Sequence, residues 1–334
     1  MSANAAPLKP DTINTHVNNV YPALAMLAGM QLEVFTVVGE GATTAEQAAA
    51  ELGVDATKLR ALLYALVTAG LMSIEGGKFS NTAESREFLV KGKKRYIGGA
   101  HSAYSDLWSS TMRTADSIRS GQPQAKHDFA SMSHAELRGF VLGMDASAGA
   151  AARRLHKEFD MSRFAHVLDA GGGSGGIAIS LTKTCPALRA TVAELANVAA
   201  ITRECVAASD VAERINVIDA DFVARPPEGQ YDAVIVRSVL QVMGASDAAQ
   251  TVHNLAATLK PGGEFFAFGR MLDDSRLTPL DAVAVNVMFL NVYENGQAYT
   301  ESEYRGWLRE AGLTNIVRKP ISGGYSIMSA RRAS

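Results

Sequence analysis

The sequence predicts an α/β fold: a doubly wound parallel sheet with an antiparallel C-terminal edge, preceded by a mostly α, winged-helix domain. Three observations carry this. From His166 onward, apolar runs alternate with helical periodicities, the pattern of a parallel sheet with crossover helices. The first run, Val167 and Leu168, ends in Asp169 and passes into the glycine cluster at 171–176. Such a strand-to-helix turn needs a residue that accepts positive φ and close approach of a ligand to the main chain. Ahead of residue 160 the spacing is helical almost throughout, apart from one short hairpin.

The chain has 334 residues, 47% of them hydrophobic, enough for a large domain plus a smaller one. The formal net charge is -2, so no strongly basic field argues for nucleic acid. The two cysteines, Cys185 and Cys205, have no metal-ligand spacing and read as reduced core residues. The first residues lack the basic start and apolar core of a signal peptide. No apolar run approaches the roughly 20 residues that span a bilayer. The expectation is a cytoplasmic protein with no metal and no membrane or nucleic-acid partner. Three segments are expected: 1–100, a helical and winged-helix domain; 101–160, a helical linker; and 161–334, the α/β domain that carries the glycine cluster.

In chain order, residues 17–38 predict one helix with Val20, Leu24, Leu27, Leu32 and Phe35 on more than one face. That surplus of apolar surface points to burial against another subunit. Thr43 or Thr44 caps a short helix, with Glu46 or Gln47 placed for a capping box. Asp55 caps the next helix, which Gly70 ends. Residues 71–74 and 78–79 then form a hairpin around Glu75-Gly-Gly77. Helix, turn, helix and wing make a winged helix. Its second helix carries only Lys58 and Arg60, so a dimerisation module is expected rather than a DNA reader.

Helices broken near Gly92, Gly98-Gly99 and residues 121–123 follow. Tyr104, Trp108 and Met112 fall four apart, and Phe140, Met144 and Ser147 share helical spacing. Strands are then expected at 190–194, 215–219, 231–237 and 264–269, with helices at 197–208, 245–259 and 300–311. The segment Lys260-Pro-Gly-Gly263 is a stop, and strands at 315–319 and 325–330 close the sheet.

Glu194 ends the second strand, where an acid can accept ribose hydroxyls. Asp221 and Phe222 follow the third, where an acid and an aromatic ring can meet adenine. With the glycine loop, these residues resemble a class I S-adenosylmethionine (SAM)-dependent methyltransferase with a Rossmann-like sheet. With the helical front domain, the whole chain resembles the dimeric small-molecule O-methyltransferases, the plant caffeate and bacterial hydroxyneurosporene group. The family's Asp-Val-Gly-Gly-Gly-x-Gly stands here as 169–175, its Asp-Leu-Pro-x-Val as 194–198, and its Gly-Asp-Met/Phe as 220–222. The resemblance implies SAM as cofactor, S-adenosylhomocysteine as product, and a homodimer. It implies cofactor contacts from Asp169, Gly171, Gly173, Glu194, Asp221, Phe222 and Arg237.

The chain departs from the family at the proton-transfer set. The family's histidine after the fourth strand is Gln241 here, and its supporting acids fall at Gly269 and Ala298. An amide is no general base near neutral pH. A thioether sulfur carries a lone pair and no proton, so the gap suggests S-methylation of a thioether acid. The methylthiohydroxybutyrate S-methyltransferases of dimethylsulfoniopropionate synthesis are the subgroup in view. An O- or C-methyltransferase of an aromatic or isoprenoid acceptor with a substituted base stays open, as does a SAM-binding regulator or non-methylating catalyst. Acceptor contacts are expected from Tyr104, Trp108, Met144, Asn286, Phe289, Tyr293 and Tyr325. Asn291 and Glu294 lie in the same acceptor-facing segment, 281–294. A cation for an acceptor carboxylate is sought among His101, Arg113, His127 and Arg153.

Overall fold

The computed structural model of the chain describes residues 8–127, 129, 131–145 and 147–334, those at 144 and 145 by backbone alone. The chain divides into two compact units, Met1–Ser105 and Asp106–Ser334.

The first unit holds α1 (Asp11–Gln31), α2 (Val34–Val38), β1 (Ala42–Thr43), α3 (Ala45–Leu52), α4 (Ala56–Thr68), β2 (Met72–Glu75), β3 (Lys78–Asn81) and α5 (Ala83–Phe88). The single helix expected at 17–38 is broken. Glu33 takes φ +56°, and a second short helix follows in which Val34, Phe35 and Val38 are buried. The Phe35 ring folds back onto Gly29, where a Cβ would lie 3.0 Å from its Cε2. Thr44 and Gln47 form the capping box of α3, and Asp55 Oδ1 accepts from Lys58 N at 2.8 Å to cap α4. The three strands pair antiparallel in the order β1-β3-β2, completing the wing. On α1, Ile13, Val17, Val20, Tyr21 and Leu24 make one exposed apolar stripe.

Across the division runs α6 (His101–Thr111). The second unit continues with α7 (Thr114–Ser120), α8 (His134–Asp145), α9 (Ala148–Phe159), β4 (His166–Ala170), α10 (Gly176–Thr184), β5 (Arg189–Glu194), α11 (Ala196–Ala207), β6 (Ile215–Asp219) and β7 (Tyr231–Arg237). It ends with α12 (Ala245–Ala257), β8 (Leu259–Leu272), α13 (Leu280–Val292), β9 (Tyr299–Thr300), α14 (Glu301–Glu310), β10 (Leu313–Pro320) and β11 (Tyr325–Arg332). The sheet order is β10-β11-β8-β7-β4-β5-β6, with β9 beside β8. Strands β6, β5, β4, β7 and β8 run parallel, while β11 and β10 are antiparallel. One detail differs from the sequence reading: Lys260–Gly263 is no stop but the irregular start of β8, where Gly262 takes φ +73°.

Alternation along the strands splits the core into two layers. Val234, Val236, Phe265 and Ala267 pack with α12 and α14 on one face. Ala233, Ile235, Phe266 and Phe268 pack with α9 and α10 on the other. Strand order reverses between β4 and β7. The turns after these two strands therefore flank the crevice where open α/β sheets take their ligands.

Candidate functional site

The site begins at the end of β4. Val167 and Leu168 are fully buried, and they carry Asp169 inside with them at 1% exposure. Its Oδ2 accepts from Ala178 N at 3.3 Å, while Oδ1 has no partner. Burial pushes the Asp169 carboxyl up to about 7. The nearby Glu194 adds to the rise, and the Ala178 N–H and Arg237 oppose it. Past Asp169 the chain turns through Gly171 at φ +70°, where a Cβ would come within 2.4 Å of Val239 Cγ2. At Gly172 a Cβ would meet Val192 Cγ1 at 2.7 Å. Only glycine lets the loop lie this close to its neighbours.

The loop is pinned in place. Gly171 N donates to Ala193 O at 2.8 Å, Gly173 N donates to Glu194 Oε1 at 2.8 Å, and Thr202 Oγ1 donates to Gly173 O at 2.6 Å. Glu194 Oε2 accepts from Leu195 N at 3.1 Å. Burial raises the Glu194 carboxyl above its ordinary value, against the two backbone N–H groups. After β6, Asp221 Oδ1 accepts from Val223 N and Ala224 N at 3.1 and 3.2 Å. The carbonyls of Phe222 and Val223 both accept from Asn254 Nδ2 at 3.0 Å, which fixes the Phe222 ring's backbone. At the end of β7, Arg237 Nη2 donates to Ser147 Oγ at 2.7 Å, and its buried Nε has no partner. Ser238 follows at φ +59°, a strained conformation for a non-glycine residue, held by its N–H on Phe268 O at 2.7 Å.

Asp169, Gly171, Gly173, Glu194, Asp221, Phe222 and Arg237 all line one cavity of about 460 Å³. Phe129, Leu137, Phe140 and Val141 wall it from the segment before β4, and Val242, Met243 and Tyr293 from later turns. The cavity thus has an acidic rim with one cation, and an apolar side. Two orphaned polar atoms, Asp169 Oδ1 and Arg237 Nε, have opposite charge character. This donor set fits SAM: acids for ribose hydroxyls and an ammonium, a cation for a carboxylate, and apolar surface for a ring.

Of the expected acceptor residues, Tyr293 lines the cavity. Burial pushes its phenol up to about 12, so it is a hydrogen-bond donor and not a base. The others whose side chains are described lie outside the wall. Asn286 Oδ1 accepts from Ala298 N at 2.5 Å. Phe289 is buried and packs on Tyr293 at 5.4 Å. Tyr325 packs on Phe268 and beneath the Arg270 guanidinium. Trp108 lies on α6, Tyr104 joins the core of the first unit, and the Met144 side chain falls outside the described residues. Asn291 is fully buried and satisfied by Ser117, Thr114 and the Val287 carbonyl. Glu294 pairs with Lys126.

Gln241 is also outside the wall. It sits in a short 3-10 turn, Leu240–Val242, 6% exposed, with Oε1 accepting from Arg270 N at 3.1 Å. Of the sought cations, Arg113 donates to Gln124 O and His127 meets Asp106; neither these nor Arg153 lies on the wall. The sequence reading missed Phe129, Leu137, Val242 and Met243 as wall residues, and missed Ser238. No spacing marks them, because turns far apart in sequence bring them together. Among the described residues no His, Cys, Asp and Glu cluster could hold a metal.

Comparison with known proteins gives the family. Residues 117–314 match the O-methyltransferase domain, and residues 15–91 match the O-methyltransferase dimerisation domain. The chain is 27% identical over 333 residues to 3-hydroxy-5-methyl-1-naphthoate 3-O-methyltransferase of Streptomyces sahachiroi, covering 97% of this chain and 96% of that one. It is 26% identical to acetylserotonin O-methyltransferase of Mus musculus, covering 92% of this chain and 84% of the relative. The fold superposes on human N-acetylserotonin methyltransferase in complex with SAM with a TM-score of 0.85 at 22% identity, covering all of both chains. The chain belongs to the O-methyltransferase family, as a SAM-dependent methyltransferase with a dimerisation domain ahead of its catalytic domain.

Proposed function

We propose that this chain methylates a hydroxyl group of a small aromatic acceptor, working as a homodimer, and that its residue 241 takes no part in removing the proton. The apolar side of the cavity carries this reading: Phe129, Leu137, Phe140, Val141, Met243 and Tyr293 suit a flat ring. Bound at the acidic rim, SAM supplies a methyl group on a sulfonium sulfur. Asp169, Glu194, Asp221 and Arg237 are the residues proposed to hold and orient it. The apolar wall excludes water and aligns the acceptor, the chief requirement of a methyl displacement. The names of relatives that act on a hydroxynaphthoate and on acetylserotonin support an aromatic acceptor.

The thioether acid is the second reading, favoured by the amide at 241, since a sulfur lone pair needs no base. Against it, an acceptor carboxylate would find one cation on the wall, Arg237, already donating to Ser147. The homodimer reading rests on the exposed α1 stripe and the matched dimerisation domain. No helix among the described residues is long and apolar enough to cross a membrane. The acceptor test uses methyl-labelled SAM with a panel of naphthols and phenols and, separately, 4-methylthio-2-hydroxybutyrate. Label in the aromatic ethers supports the reading. Label in the sulfonium acid alone overturns it.

A further inference from the structure

Tyr293 stands where α13 ends. Its N–H donates to Phe289 O at 3.1 Å, and its backbone is extended at φ −121° and ψ 144°. Its ring packs on the buried Phe289 ring at 5.4 Å, and the residue lines the cavity that also holds the glycine loop. Tyr293 borders a second, smaller hollow too, together with residues 294–297. There a Cβ on Gly296 would meet Tyr293 Cβ at 2.9 Å. The base of the side chain therefore faces the smaller hollow, and the ring end faces the cavity.

The hydroxyl differs from those of two neighbouring buried tyrosines. Tyr231 donates to Glu228 O and Tyr299 to Met243 O, each at 2.6 Å. The Tyr293 hydroxyl bonds to no described residue, and burial raises its phenol with no hydrogen bond to counter it. Nor is it sealed off, as His127 Nδ1 is. It opens onto the cavity, where its partner is water or a ligand. A ring that fills the apolar side displaces that water. If the ring offers no acceptor atom, the hydroxyl is stranded, at a cost larger than the gain from an ordinary hydrogen bond.

Charge and chemistry select the atom that meets it. The wall carries Asp169, Glu194 and Asp221, and Arg237 is the one cation among its described residues, so a carboxylate is disfavoured there. The oxygen that attacks the methyl carbon needs its electron density, which a donated hydrogen bond would draw away. A neutral carbonyl elsewhere on the acceptor has two lone pairs and no competing task.

We propose that Tyr293 is a specificity-determining residue, whose hydroxyl donates to a carbonyl oxygen of the acceptor, so that the chain prefers hydroxyarenes that carry a carbonyl. This rests on the aromatic O-methylation reading. The rings and aliphatic groups of Phe129, Leu137, Phe140 and Val141 accept any flat ring, and Tyr293 fixes its rotation among them.

The test compares the full-length wild type with Tyr293→Phe on the 5-, 6-, 7- and 8-hydroxy-1-tetralones and on their carbonyl-free counterparts, 5,6,7,8-tetrahydro-1-naphthol and -2-naphthol. In the wild type, kcat/KM for at least one hydroxytetralone exceeds that of its counterpart by about tenfold or more. Tyr293→Phe lowers it for that tetralone and raises it a few-fold for the counterpart, since no hydroxyl is then stranded, so the preference collapses. A second readout needs no turnover. The carbonyl stretch of that tetralone, bound to protein loaded with S-adenosylhomocysteine, lies at lower wavenumber in the wild type than in Tyr293→Phe. No preference in the wild type, equal losses with both acceptors in the variant, or an unmoved carbonyl stretch overturns the role of Tyr293. Turnover of the hydroxyarenes with no carbonyl preference sinks that role alone. Turnover of thioethers and of no hydroxyarene sinks the acceptor reading, and the role of Tyr293 with it.

Discussion

Gln241 Oε1 accepts the backbone N–H of Arg270 at 3.1 Å, tying the turn after β7 to strand β8. Beside this bond, a Cβ on Gly269 would stand 3.2 Å from Gln241 Oε1 and 3.4 Å from the Tyr304 hydroxyl. The amide and the tyrosine thus fill the space a side chain from residue 269 would need. Gln241 is here a structural strut. Gln241→Ala is expected to cost about 1 kcal/mol for the lost bond and to leave kcat within a few-fold. Urea denaturation and steady-state kinetics check this; a collapse of kcat at unchanged stability would contradict it.

The glycine loop gives a sharper test. Gly171→Ala places a Cβ at φ +70° and within 2.4 Å of Val239 Cγ2. The left-handed conformation alone costs roughly 1–2 kcal/mol for a residue with a Cβ. Affinity for S-adenosylhomocysteine is expected to fall at least about tenfold. Adding Val239→Ala relieves the contact but not the backbone strain, so calorimetry on the double variant should recover part of the loss.

Asp169 makes the ligand-free protein sensitive to pH. Its folded carboxyl titrates at about 7 against 3.8 for the free group, because burial disfavours the charge. Between these values the folded state holds a proton that the unfolded chain has released. Stability therefore falls as pH rises from roughly 4 to 7, by at most about 4 kcal/mol from this group. The raised Glu194 contributes in the same direction. Asp169→Asn should flatten the slope, as read from urea midpoints at acid and mildly alkaline pH. A stability that rises over that interval in the wild type and not in the variant would refute it.

Asn291 tests a different kind of residue. It is fully buried and ties α7 to α13 through Ser117 and Thr114. Asn291→Ala strands those hydroxyls, with an expected loss of about 2–4 kcal/mol in stability. Affinity for S-adenosylhomocysteine should change less than about threefold, since the residue is off the cavity wall.

On α1, Val20→Glu with Leu24→Glu places two carboxylates in the exposed stripe. Light scattering should then report monomers where the wild type gives dimers, while the circular dichroism of the isolated chain is unchanged.

Local patterns made the catalytic fold readable. Val167 to Gly176 announces strand, turn and helix by itself, and Glu194 and Asp221 stand where their strands end. What escaped the sequence depends on contacts between distant residues. The break at Leu32 and Glu33 exists because Phe35 returns onto Gly29, which helical periodicity does not register. Phe289 and Asn286 were read as pocket residues because a largely apolar helix does not say which side faces a cavity. Asp106 and His127 are 21 residues apart with no motif between them, and only the fold makes them a pair.

The pinned loop has a consequence for how the protein would work among other cell constituents. Glu194 and the backbone of Ala193 hold the glycine turn in shape through bonds internal to the chain. A site that grips SAM by its ribose, adenine and amino-acid end gains little from the methyl group itself. The spent product carries all of them, lacking only one methyl group and one charge. Recognition of this kind discriminates weakly between the two, so throughput follows the ratio of donor to product in the surroundings. An enzyme built this way depends on another that clears its product.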